Sequence, residues 1–171
     1  KHQGHIEVES QPGAGATFRF WLPVASAGPA VPPEETAPAP APAGRVLFMD
    51  DEASILELAR HFLSRLGLAG EFVADGRAAI EKYREARAAG VPFDVVVMDL
   101  TVPGGMGGRE AMEHLRSIDP QVQAIVSSGY SRDPVLANYR AHGFVGILPK
   151  PYGLAQVQQV LVQVLNGAPK S

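Results

Sequence analysis

The strongest constraint on the fold is an alternation, starting at Arg45, of short apolar runs with segments of helical periodicity. Five such units follow one another, and their apolar runs are almost continuous, as in residues 94–98 (Asp-Val-Val-Val-Met). A strand that is apolar on both sides needs cover on both sides. The repeat therefore predicts an α/β domain in which a parallel sheet lies between two layers of helices.

The predicted elements place the search for a site. The five strands are expected at residues 45–49, 71–74, 94–98, 123–127 and 145–148. The five helices are expected at residues 55–66, 77–88, 108–117, 134–141 and from 154 onward. In a doubly wound parallel sheet, ligands bind beyond the carboxyl ends of the strands. Any site is therefore expected in the residues that follow each strand.

Four predicted strand ends carry polar groups that suit one pocket. They are Asp50-Asp51-Glu52, Asp99, Ser128-Gly129 and Lys150-Pro151. Crowded carboxylates repel one another, and a hard cation such as Mg²⁺, which prefers oxygen ligands, resolves the repulsion. A lysine ammonium and a serine hydroxyl can meet a phosphate. Asp99 is then the natural nucleophile, because an aspartate can form an acyl phosphate.

A purely structural interpretation of the same residues stays open. Asp51 could cap the following helix, Asp99 could cap a turn, and Lys150 could be an ordinary surface lysine. Capping does not easily explain why these groups share the strand ends.

The residues before Arg45 differ in character. Residues 4–23 alternate apolar and polar side chains around a Pro-Gly turn, which predicts a hairpin. One hairpin alone is marginal in water, so it is expected to be part of a larger sheet. Residues 25–43 contain six prolines and predict an extended linker. The expected division is therefore 1–24, 25–43 and 44–171.

Composition excludes several classes of function. The formal net charge is -3, so no basic field favours nucleic acid. The chain has no cysteine, which removes disulfides, thiol nucleophiles and cysteine-based metal sites. No apolar run approaches the roughly 20 residues that span a bilayer, so no membrane contact by this fragment is expected. A cytoplasmic location is expected. The first residue is Lys1 rather than Met, so a longer parent protein is expected.

The strand-end residues resemble a known family. Residues 46–52 (VLFMDDE), residues 98–103 (MDLTVP) with Gly108, and the pairs Ser128-Gly129 and Lys150-Pro151 together resemble the receiver domain of two-component signalling proteins. The resemblance implies a flavodoxin-like doubly wound (βα)5 fold with strand order 2-1-3-4-5. It also implies that the chain takes a phosphoryl group from a phosphohistidine in a phosphorelay.

The resemblance further implies roles for individual residues. Asp99 is the expected phosphoacceptor, and Asp50, Asp51, Asp99 and the backbone carbonyl of Thr101 are the expected Mg²⁺ ligands. Lys150 is expected to contact the phosphoryl group and to precede a cis proline. Ser128 is expected to be the hydroxyl that turns inward after phosphorylation.

Three features depart from the common pattern or stay open. The loop at residues 101–108 (TVPGGMGG) is one residue longer than usual and rich in glycine, so it is expected to be mobile unless a metal or a partner orders it. Ile147 stands where many relatives have an aromatic switch residue. Tyr130 either shields the acyl phosphate from water or packs on the surface.

Residues 1–18 resemble the last strands of a histidine-kinase ATP-binding domain. The order of segments resembles a hybrid sensor histidine kinase whose catalytic core lies elsewhere, with a membrane anchor in the parent left open. The expected partners are a histidine kinase or a histidine phosphotransfer domain, and a homodimer is an open alternative. Whether the fragment counts as an enzyme stays open, because only its own phosphorylation at Asp99 is expected.

Two rival functions also remain. A haloacid-dehalogenase-like phosphatase uses a similar set of groups, but it carries Asp-x-Asp where this chain has Thr101. A pseudo-receiver would signal through protein contacts alone.

Overall fold

The computed structural model describes residues 4–13, 15–23, 44–129 and 134–167. They belong to two compact units, an N-terminal hairpin and a C-terminal α/β domain. The predicted linker at residues 25–43 and Tyr130 lie outside the described residues. No described helix combines the length and the apolar character needed to cross a membrane.

The N-terminal unit is an antiparallel hairpin of β1 (His5–Gln11) and β2 (Gly15–Trp21), which confirms the predicted hairpin. One of its faces is charged, with Arg19 Nη1 3.0 Å from Glu9 Oε1. The other face carries large apolar side chains that are 57% to 67% exposed: Ile6, Val8, Phe18 and Phe20. Among the described residues of this unit, none covers the apolar face.

The C-terminal unit is built on a five-stranded parallel sheet. Its strands are β3 (Arg45–Met49), β4 (Ala69–Val73), β5 (Val95–Asp99), β6 (Ala124–Ser128) and β7 (Gly146–Pro149). They lie in the order β4-β3-β5-β6-β7, which confirms the predicted order 2-1-3-4-5. β5 and β6 each run one residue further than predicted. Asp99 extends β5 by pairing with Ser127, and Ser128 extends β6 by pairing with Pro149 of β7.

In the described part of this unit, the sheet is covered by five helices: α1 (Ala53–Arg65), α2 (Gly76–Ala88), α3 (Gly108–Ile118), α4 (Pro134–Ala137) and α5 (Leu154–Gly167). One hydrophobic cluster joins α2 and α3 to one face of the sheet, and another joins α1 and α5 to the other face. The predicted helix at 134–141 was too long. After Ala137 the helix gives way to turns with successive i to i−3 hydrogen bonds. These turns end at Gly143, whose positive φ of 91° suits glycine.

Candidate functional site

Three carboxylates meet at the carboxyl edge of the sheet. Asp50 follows β3, Asp99 ends β5, and these two strands are neighbours. One oxygen from each of Asp50, Asp51 and Asp99 lies within 4.8 Å of the others. Asp50 is fully buried and Asp99 is 7% exposed, whereas Asp51 is exposed. The meeting of strand ends that the sequence predicts is therefore present in the structure.

Lys150 connects the two buried carboxylates. It follows β7 at the same edge, and its Nζ lies 2.6 Å from Asp50 Oδ2 and 2.8 Å from Asp99 Oδ2. Its peptide bond to Pro151 is cis, as predicted. The Lys150 backbone N–H donates to the Ser128 carbonyl at 2.9 Å. Lys150 is therefore an internal counter-ion of the acidic cluster rather than an ordinary surface lysine.

Backbone donors also contact the carboxylates. The Glu52 N–H donates to Asp50 Oδ1 at 3.1 Å, and the Thr101 N–H approaches Asp99 Oδ1 at 3.4 Å. The capping interpretation of Asp51 was wrong, because Glu52 is the N-cap of α1 and no side chain caps that helix. Asp99 does make the turn contact that the structural interpretation allowed, but the distance is long for a hydrogen bond.

The electrostatics of the cluster favour a cation. Burial raises the pKa of Asp50 and the charge of Asp99 adds to the shift, although Lys150 and the Glu52 N–H oppose it. Burial lowers the pKa of Lys150, but its contacts with the two aspartates outweigh burial and hold the pKa above its usual value. Three carboxylates face one ammonium among the described residues of the cluster. This donor set fits a hard divalent cation such as Mg²⁺, which takes oxygen ligands.

A cavity of about 370 Å³ opens beside the cluster, where the predicted strand ends suit one pocket, but its wall of Tyr152 and α1 was not predicted from the sequence. Lys150 and Tyr152 line it together with Ile55 and Leu58 of α1. Burial, reinforced by the charge of Asp50, raises the pKa of Tyr152 to about 12. Tyr152 directly follows the predicted site residues Lys150-Pro151, and this position could have indicated that it lines the cavity.

The remaining predicted site residues have the following places. Ser128 is buried at the end of β6, next to Lys150 through the backbone contact. Ile147 is partly buried and packs against the cluster between the sheet and α2 and α3. Thr101 is exposed and adjoins Asp99 through its N–H, while the role of its carbonyl stays a prediction.

Residues 46–162 match the response regulator receiver domain. The chain belongs to this family. It is 31% identical to the chemotaxis protein CheY of Thermotoga maritima over an alignment of 122 residues. This alignment covers 70% of this chain and 96% of CheY. Over 172 residues it is 30% identical to the sensor kinase CckA of Brucella abortus, which covers 95% of this chain but only 18% of CckA.

The fold is similar to that of the receiver domain of the sensor histidine kinase PA1611 from Pseudomonas aeruginosa. The TM-score is 0.64 at 22% identity, covering 73% of this chain and 99% of that one. That structure carries a magnesium ion coordinated in its active-site cleft. The family membership decides against the haloacid-dehalogenase alternative, as Thr101 already suggested.

Proposed function

We propose that this receiver accepts a phosphoryl group on Asp99 from a phosphohistidine donor. The observation that supports the proposal most directly is the placement of the Lys150 ammonium 2.8 Å from Asp99 Oδ2 and 2.6 Å from Asp50 Oδ2. A carboxylate that must become an acyl phosphate needs a positive group close by to receive the added charge. Structural capping alone gives no reason for a partly buried ammonium between two buried carboxylates.

The transfer balances without a further reactant. A carboxylate oxygen of Asp99 forms the new bond to phosphorus while the bond from phosphorus to the donor imidazole nitrogen breaks. The bonding electron pair stays on that nitrogen. Lys150 then changes partner, since its ammonium can meet the phosphoryl oxygens as a point charge. The hydroxyl of Ser128, at the end of the adjacent strand, is proposed to donate to the same group.

Asp50, Asp51, Asp99 and the Thr101 carbonyl are proposed to hold Mg²⁺. When bound, this ion would neutralise charge on the transferring phosphoryl oxygens. The oxygens of the three aspartates are already within 4.8 Å of one another, so little movement of the protein is needed to hold a cation. Burial of Asp50 and Asp99 limits the screening of their charges by water, whereas Asp51 is exposed.

We further propose that the receiver belongs to a hybrid histidine kinase. The alignment with CckA covers 95% of the chain and so includes residues of the N-terminal hairpin. The exposed apolar face of β1 and β2 suits a piece of a larger sheet, such as the last strands of a kinase ATP-binding domain. A histidine kinase or a histidine phosphotransfer domain is the proposed partner, and the cytoplasm is the proposed location.

Phosphorylation by a small donor tests the assignment of Asp99. The wild-type chain is incubated with acetyl phosphate and Mg²⁺, and intact-mass spectrometry measures the gain of one phosphoryl group. We expect the wild type to be labelled and Asp99→Asn to remain unlabelled, because an amide cannot form the acyl phosphate. Asp94→Asn, which changes an aspartate near the amino end of the same strand, is the matched control and is expected to label normally. Labelling of Asp99→Asn would refute the nucleophile assignment, and an unlabelled wild type would favour the pseudo-receiver.

A further inference from the structure

The loop between β5 and α3, which the sequence predicts to be mobile in the absence of a metal or partner, is anchored within the domain. Its first anchor is a turn in which the Gly105 N–H donates to the Val102 carbonyl at 3.2 Å. Pro103 and Gly104 are the two central residues, and Gly104 has a φ of 74°. Proline followed by glycine with positive φ is the signature of a type II turn. The loop therefore has a defined path where it leaves the acidic cluster.

The second anchor joins the loop to helix α2. The N–H of Gly76, the first residue of α2, donates to the Met106 carbonyl at 2.8 Å. A Cβ added at Gly76 would lie 2.8 Å from Met106 Cγ and 2.8 Å from Ala111 Cβ. The partly buried Met106 side chain packs against the same hydrophobic cluster as α2 and α3. Met106 thus holds the loop against α2 with its carbonyl and with its side chain.

The third anchor returns the chain to the strand that carries the proposed phosphoacceptor. A Cβ at Gly107 would collide with the Leu100 carbonyl, and one at Gly108 would lie 2.6 Å from the Asp99 carbonyl oxygen. Only glycine lets the backbone approach this closely. The end of the loop at Gly107 and Gly108 therefore lies against the backbone of Asp99 and Leu100. The preceding residue, Met106, contacts α2.

We infer that Met106 and Gly76 are positioning residues of the receiver site. This inference rests on the proposed function. Thr101 lies between Asp99 and the anchored turn, and its N–H faces Asp99 Oδ1 at 3.4 Å. Because the contact between Met106 and Gly76 fixes the far end of the same short loop, it limits where the Thr101 backbone can lie. Both residues act through Thr101 and not on the phosphoryl group itself.

The packing of the Met106 side chain can be removed by mutation without removing the backbone hydrogen bond. Met106→Ala keeps the backbone carbonyl that Gly76 uses but removes the packing, and Met106→Leu nearly conserves the volume. Ile80→Val, in α2 and in the same cluster, is the matched control, since it shortens a core side chain while leaving Met106 and Gly76 unchanged. Each variant is measured for thermal stability, for Mg²⁺ affinity by calorimetry, and for amide hydrogen exchange at Gly76 and Thr101 without metal.

We expect Met106→Ala to weaken Mg²⁺ binding by about tenfold, the lower end of the range for groups that orient metal ligands. Amide exchange at Gly76 and Thr101 should rise in the metal-free protein, since exchange reports local opening. Met106→Leu should restore both quantities to near wild-type values. Ile80→Val should lower the unfolding temperature but leave Mg²⁺ affinity within about twofold, because it keeps both the Met106 side chain and its contact with Gly76.

Gly76→Ala provides a second and independent perturbation, because its Cβ must push Met106 or Ala111 away. Gly76→Ala should also weaken Mg²⁺ binding, as Met106→Ala does. The inference is overturned if Met106→Ala shows wild-type exchange at Thr101, or if Ile80→Val weakens Mg²⁺ binding as strongly as Met106→Ala. If the wild type takes no phosphoryl group, the proposed function fails, whereas the exchange measurement still decides for or against the anchor.

Discussion

Replacing Lys150 with Met removes the internal counter-ion of the acidic cluster while keeping most of the side-chain length. The Lys150 side chain is 17% exposed, and it contacts Asp50, which is fully buried, and Asp99, which is 7% exposed. Removing one partner of a buried ion pair costs about 3–5 kcal/mol, and the partial exposure favours the lower end. At roughly 4 °C per kcal/mol for a domain of this size, the unfolding temperature should fall by about 12 °C at neutral pH.

The deficit of Lys150→Met should depend on pH with a definite sign. The pKa of Asp50 is already raised by burial, and loss of the ammonium raises it further. A carboxyl group whose pKa is higher in the folded state binds its proton more tightly there, so acidification favours folding. The deficit should therefore shrink as pH falls toward the pKa of Asp50. In the wild type the pKa of Lys150 is raised, so the charged ammonium stabilises the folded state at neutral pH. This stabilisation is lost only when the pH rises through the raised pKa.

Thermal unfolding followed by circular dichroism between about pH 5 and pH 8, with and without Mg²⁺, tests this prediction. Lys82→Met is the matched control, because Lys82 is 47% exposed at 3.3 Å from Glu85 and should contribute at most about 0.5 kcal/mol. Mg²⁺ should stabilise Lys150→Met more than the wild type, since it replaces the lost positive charge. The reasoning is refuted if Lys150→Met loses no more stability than Lys82→Met, or if its deficit does not change with pH.

Two further predictions concern stability. Gly108→Ala should cost about 1–3 kcal/mol in urea unfolding, because its Cβ would lie 2.6 Å from the Asp99 carbonyl oxygen, whereas Gly167→Ala, with open space around it, should not destabilise. A normal stability for Gly108→Ala would contradict the close approach. Tyr83→Phe should cost about 1 kcal/mol by loss of the 2.8 Å hydrogen bond to Asp119. Burial and Asp119 raise the pKa of Tyr83 to about 12, so the unfolded state releases this proton first and stability falls as pH rises toward that value. Tyr83→Phe should show a shallower alkaline loss, and an unchanged slope would contradict it.

The sequence predicts the meeting of Asp50, Asp99 and Lys150 because two regularities suffice for it. Continuous apolar runs indicate strands that are buried on both faces, and such strands run parallel. Parallel strands place their carboxyl ends at one edge of the sheet, so residues that are 49 and 51 positions apart in the chain become neighbours. The strand order followed from the family resemblance and was confirmed.

Contacts between side chains of distant loops are not encoded in local periodicity. The anchoring of Met106 on Gly76 depends on how the loop after β5 meets the turn before α2, and no repeat in the sequence describes that approach. The same holds for Tyr152 as a wall of the cavity beside Lys150. The end of α4 at Ala137 was missed because Val135 and Leu136 fit a helical pattern equally well in a single turn.

The charge count at the site links its two proposed occupants. Among the described residues, Lys150 is the one cation that contacts the two buried carboxylates, so its movement away from Asp50 would leave that carboxylate with no described positive partner. A phosphoryl group on Asp99 would draw the ammonium toward itself, and the cost to Asp50 would then be that of a buried, uncompensated charge. A divalent cation held by Asp50 and Asp51, as proposed, would remove this cost. Coupling between two binding events is reciprocal. The cation should therefore stabilise the phosphorylated state of Asp99, and phosphorylation should raise the affinity of the site for the cation.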